Sequence, residues 1–247
     1  MKNNNKINMR NLLLLGLVFQ IHTVSGQVAI IQDKDGFTNV RSKPTVDSEI
    51  VYKLKENEVF FYYEEPFGTM AENTDWKYVM IPQNKFSIQL SGYGYIYGYI
   101  HKSRLKPISQ LENIIEPDQT LKFNITKVNV NDKREGNTMV QGEKIYLING
   151  VGYYGVEIGL ERSYDISSFE IIESGQVIPQ SPILYLDLYN ISFTEGEYDS
   201  NSDRFKTYIN GEFTFIQQEC ADGAGYYQIV WVINQSRIIQ RLVGWIY

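Results

Sequence analysis

Alternation with a period of two runs through most of this chain, and it constrains the fold more than any other feature. It is plainest in YGYIYGYIH, residues 93–101. Tyr93, Tyr95, Tyr97 and Tyr99 take every second position, and Gly94, Ile96, Gly98 and Ile100 take those between. A strand sends successive side chains to opposite faces, so the tyrosines share one face and the glycines and isoleucines the other. Glycine on the second face permits a bend or the close approach of a neighbouring strand. Comparable short runs recur after residue 26, separated by Gly, Asn and Asp. The 19 Tyr and 12 Phe, with abundant Val and Ile, suit pleated, half-buried surfaces. These patterns predict an all-β protein.

The first 26 residues read differently. Lys2, Lys6 and Arg10 precede the apolar run LLLLGLVF, and Val24 and Gly26 stand before an expected cleavage at Gly26–Gln27. That order is the pattern of a secretory signal, and the apolar run is shorter than the roughly 20 residues a membrane-spanning helix needs. The expectation is an exported protein, periplasmic or extracellular, with no integral membrane segment once the signal is gone. Its removal takes three cations and no carboxylate, moving the net charge from −6 to −9. An acidic chain is repelled by nucleic acid and by anionic membrane surfaces. Cys220, the single cysteine of the chain, has no intramolecular disulfide partner and is expected as a small apolar residue in a strand.

The remaining chain divides near residue 110. Residues 27–106 carry VAIIQ, FTNVR, EIVYKL, EVFFYYEE, WKYVMI and YGYIYGYI, five or six strands with short turns, expected to close into a small barrel. Residues 107–119, bounded by Pro107 and Pro117, are expected to be a linker or one helical turn with Leu111, Ile114 and Ile115 on one face. Residues 120–247 form a second β domain of unknown function. It is expected to be mainly antiparallel, with a short helix within SPILYLDLYN and a closing meander of GEFTFIQQE, GYYQIVWVI and RIIQRLVGWIY. Asp222 and Gly223, within ADGAGYY, read as a hairpin signal; the Lys-Ser/Thr and helix of a phosphate-binding loop do not follow.

The order GFTNVRSKP, EIVYKL, Trp76 with Val79, then GYIHKSRL resembles the bacterial SH3-like domain over residues 30–106 or so. Two departures stand out. Asn57 occupies the hairpin position where the family has Gly, and residues around 83–92 lengthen a loop. Asn tolerates the positive φ of such a turn. The resemblance implies a small SH3-like barrel and, as a partner, a peptidoglycan peptide. The segment 168–247, through SFEII, VIPQSPILYLDLYN, the Asp222–Gly225 hairpin and YQIVWVI, resembles uncharacterised exported proteins of Bacteroidetes, a family with no activity to carry over.

His101 is the only histidine left after removal of the signal, and it ends the last strand of the first block. One imidazole and one thiol, set in different blocks, make neither a nucleophile–base pair nor a zinc site. No catalytic residue, metal ligand or cofactor is therefore assigned. The residues assigned to ligand binding are Tyr93, Tyr95, Tyr97, Tyr99 and Trp76. Flat rings with a polar tip suit sugar rings and peptide backbones, although the same face could equally be core. The expected function is a non-catalytic binding protein that recognises a cell-wall-derived or protein ligand in the periplasm. The alternatives are an inhibitor of the immunity type acting through the second domain and, third, a hydrolase using an unmarked carboxylate pair.

Overall fold

A computed structural model describes residues 27–63, 75–88, 94–115, 117–129, 134–140, 143–148, 151–156, 162–201, 204–220 and 225–244. Residues 1–26, the expected signal, Tyr93 and residues 221–224 of the expected hairpin lie outside the described residues. The fold is all-β and built from antiparallel sheets, as the alternation predicts.

The first half contains β1 (Gln27–Ile31), β2 (Phe37–Arg41), β3 (Ile50–Lys55), β4 (Phe60–Tyr63), β5 (Trp76–Pro82), β6 (Tyr95–His101) and β7 (Leu105–Pro107). They form one seven-stranded sheet in the order β3-β2-β6-β5-β4-β1-β7. Leu54 of one edge strand and Leu105 of the other belong to a single buried cluster with Val40, Phe60, Val79 and Ile100. A sheet whose two edges feed one core must curl round it. Gly98 allows that curl: a Cβ there would lie 2.6 Å from Val40 Cγ1 and 2.7 Å from the Arg41 carbonyl oxygen. Asn57 takes the positive φ its turn demands, at 60°.

The expected linker is largely structure. After a 3-10 turn at Ile108–Gln110 comes β8 (Glu112–Asn113), which pairs with the second half. Leu111 is buried and Ile115 is 91% exposed, so they do not share a helical face. The second half then runs through β9 (Gln119–Asn129), β10 (Arg134–Val140), β11 (Glu143–Ile148), β12 (Arg162–Glu173), β13 (Gln176–Pro179), β14 (Gly196–Asp199), β15 (Phe205–Asn210), β16 (Phe213–Cys220), β17 (Tyr227–Asn234) and β18 (Arg237–Gly244). The possible helix in SPILYLDLYN is a 3-10 turn at Pro182–Leu184. A four-stranded sheet, β13-β12-β9-β14, faces a five-stranded one, β18-β17-β16-β15-β8, across a core containing Phe123, Phe169, Cys220 and Trp231. Cys220 is wholly buried, and that burial pushes its thiol pKa well up.

The meander of β16, β17 and β18 is covered on both faces, as its apolar density implies. Ile229, Trp231 and Ile233 of β17 face the four-stranded sheet. Val230 and Val232 join Val28, Ile30, Phe61 and Tyr63 of the first half in a second cluster. The outer surface of the curled sheet is thus part of a shared core, and the two halves are packed together.

The loop after β5 secures that packing. Arg241 of β18 is fully buried with Asp187; its Nη1 and Nη2 donate to the two carboxylate oxygens at 2.6 and 2.7 Å. The same guanidinium donates to the Phe86 and Leu184 carbonyls, each at 2.6 Å. The Arg241 backbone N–H donates to the Lys85 carbonyl, and the Ser87 hydroxyl to the Arg241 carbonyl, both at 2.8 Å. Residues 85–88 thereby cover the free edge of β18. Nearby, the Gln240 amide pairs with both backbone groups of Val59. An open edge is a template for unwanted pairing, and this one is closed.

Candidate functional site

Of the residues assigned from sequence, Trp76, Tyr95, Tyr97 and Tyr99 share one face of β5 and β6. Register pairs Trp76 with His101, Tyr78 with Tyr99, Met80 with Tyr97 and Pro82 with Tyr95. Val79, Ile81 and Ile100 point the other way, into the core of the curled sheet. On the flanks, Arg41 of β2 lies opposite Tyr99 and Tyr63 of β4 opposite Tyr78. One row, Arg41–Tyr99–Tyr78–Tyr63, therefore crosses four strands.

Along that face the environment changes sharply. Tyr95 is only 9% exposed and packs in the cluster shared with the second half; its hydroxyl donates to the Val243 carbonyl at 2.5 Å. This corrects the expectation that Tyr95 presents its ring to a ligand. It is a docking residue, because β18 lies over that end of the strand. Gly244 makes room for the contact: a Cβ there would come within 2.6 Å of the Phe61 ring. Two residues on, Tyr97 is 45% exposed. Its ring stacks on Tyr78 with centroids 6.0 Å apart and planes 14° apart, while Tyr99 meets Tyr78 edge-on at 5.4 Å. Partial burial and the neighbouring hydroxyls push the Tyr78 pKa up to about 12. At the open end, Trp76 and His101 meet edge-to-face at 5.7 Å.

Beside Trp76 and His101 lies a groove of about 350 Å³. Its walls include Asp33, Asp35, Asn39, Arg41, Trp76 and His101. Turn chemistry sets the acidic wall: the Asp35 and Gly36 backbone N–H groups both turn back to Asp33, and Gly36 sits at φ 71°. Asp33 also pairs with Arg104 at 2.8 Å. Arg41 is anchored by a 2.6 Å bond to the Ser48 carbonyl. At the rim, Lys102 bonds Asp75 at 2.7 Å and holds its carboxyl below the usual range.

His101 ends β6, as its place in the sequence suggests, and has a local role as well. Its Nδ1 accepts the Ser103 backbone N–H at 3.3 Å and lies 2.8 Å from Ser103 Oγ, capping the turn of residues 102–104. Among the described residues, no group of three or more His, Cys, Asp or Glu side chains is arranged to hold a metal ion. Sequence reasoning picked out Trp76 and the tyrosines but missed the polar wall. Asp33, Asp35 and Arg41 look like ordinary turn and strand residues until β2 is placed beside β6. No family model, curated protein or solved structure matches the chain.

Proposed function

We propose that the chain is an exported, non-catalytic binding protein whose first half, an SH3-like domain, recognises a cell-wall-derived or protein ligand in the periplasm. The observation that carries this reading is the aromatic row of exposed Tyr97 and half-buried Tyr99 and Trp76, whose Trp76 end borders a groove with charged and amide walls. A few convergent polar groups beside flat apolar surface are the usual make-up of a ligand site. The SH3-like reading is supported by short antiparallel strands wound round one small core, with Trp76 opening a strand and Asn57 in a positive-φ turn. The second half, packed over β1, β4 and the Tyr95 end of β6, acts as a scaffold that keeps the face rigid.

Co-sedimentation with purified peptidoglycan sacculi tests the proposal. The intact chain should pellet with the sacculi, and the double variant Tyr97→Ala/Trp76→Ala should stay in the supernatant. An intact chain that never pellets, and that captures no partner through this face, would remove the basis of the reading. Tyr95 is unsuited to the test because its loss damages the fold.

A further inference from the structure

Resting on the reading of this face as a ligand site, we infer that its ligand is a saccharide strand, read by stacking on Tyr97, Tyr78 and Tyr99 and by hydrogen bonds accepted by Asp35, donated by Arg41 and shared with the Asn39 amide. The first reason is topological. Strands β5 and β6, which carry the three rings, are paired along their whole length from Trp76–His101 to Pro82–Tyr95, whereas β2 meets β6 at one pair, Arg41–Tyr99. An extended peptide gains most of its affinity by adding to a free strand edge, and the strands beneath the rings offer none along the side they share. Whatever lies on the rings is recognised by side chains.

The second reason is the shape of those side chains. Tyr97 lies nearly parallel to Tyr78, and Tyr99 stands edge-on beside them, at centroid spacings of 6.0 and 5.4 Å. Such steps are comparable to one pyranose unit. A pyranose presents an apolar C–H face to a ring and hydroxyls at its edge. Arg41 lies opposite Tyr99 in register, and at the Trp76 and His101 end of the row the groove adds Asp35 and Asn39, so that a guanidinium, a carboxylate and an amide, planar groups able to engage neighbouring hydroxyls in pairs, follow the rings. The third reason is charge. Nucleic acid also stacks on aromatic rows, but it would meet Asp33 and Asp35 on a chain of net charge −6.

The experiment is a fluorescence and calorimetric titration of the intact chain with chitohexaose, in parallel with the free tetrapeptide L-Ala-D-isoGlu-L-Lys-D-Ala. Chitohexaose should bind and perturb Trp76 emission. Tyr97→Phe should retain binding, Tyr97→Ala should weaken it about tenfold or more, the loss of roughly one stacked ring, and the tetrapeptide should be silent. Thermal melts of the variants verify the fold. Tetrapeptide binding without chitohexaose binding would overturn the saccharide assignment and leave the binding reading standing. So would chitohexaose affinity unchanged in Tyr97→Ala, or sacculus binding with neither probe bound. Failure of both probes and of sacculi would overturn both.

Discussion

Tyr95 and Tyr97 sit two residues apart on the same strand and the same face, yet they do opposite work. Tyr95 lies under β18 and bonds the Val243 carbonyl across 148 residues of sequence. Tyr97 stands clear of the second half with nearly half its surface exposed. The difference is set by where the second half ends, which places a structural region and the proposed recognition region on one continuous row. It follows that the covered end should answer to stability measurements and the open end to binding.

The largest effect is expected from Arg241→Met. It leaves Asp187 buried and unpaired, which typically costs about 3–5 kcal/mol, and it removes the guanidinium bond to the Phe86 carbonyl while the backbone bonds to Lys85 and Ser87 remain. A urea unfolding series should show it, and the double change Asp187→Leu/Arg241→Met should recover much of the loss. Tyr95→Ala should follow with a similar cost of about 3–5 kcal/mol by analogy with other buried aromatics, against only about 0.5–1.5 kcal/mol for Tyr95→Phe, which keeps the ring and loses the hydroxyl's bond to the Val243 carbonyl.

A collective effect comes from pH. Burial raises the pKa of Tyr95 and Tyr227 well above 10.0, and Tyr78 rises to about 12. Below the ordinary tyrosine value the stability from keeping these groups neutral is fully present. As pH rises beyond it, the unfolded chain sheds protons that the folded chain retains, so stability falls. Urea midpoints should decline steadily above about pH 10, and the tyrosinate ultraviolet band of Tyr95 should appear only with unfolding. Gly244→Ala, which pushes a methyl group at Phe61, should cost about 1–3 kcal/mol. Tyr97→Ala should leave stability within about 0.5 kcal/mol of the intact chain.

The pattern of what was legible in the sequence follows the same divide. Parity along YGYIYGYIH placed Tyr95, Tyr97 and Tyr99 on one face, and the apolar density of β16 to β18 announced a meander covered on both sides. Those are local properties. Which end of the tyrosine row would be covered is not local, because docking joins positions more than a hundred residues apart. The buried clamp left a trace that went unread: Asp187 in LYLDLYN and Arg241 in RLVGW are lone charges inside apolar runs. Isolated opposite charges of that kind are candidates for a buried pair. Residues 83–92 read as a lengthened loop, and the function of 85–88 as an edge cover emerges only once β18 lies beside them. The segment 107–119 misled for a related reason: its strand, β8, is two residues long and takes its form from β15.

The most direct test of the division between a docked and an open end is the retention of Tyr97→Ala on purified sacculi, with the melting temperature of the same sample measured alongside. The account predicts a melting temperature equal to that of the intact chain and a loss of retention. Undiminished retention, or a melting temperature lowered as far as that of Tyr95→Ala, would contradict it.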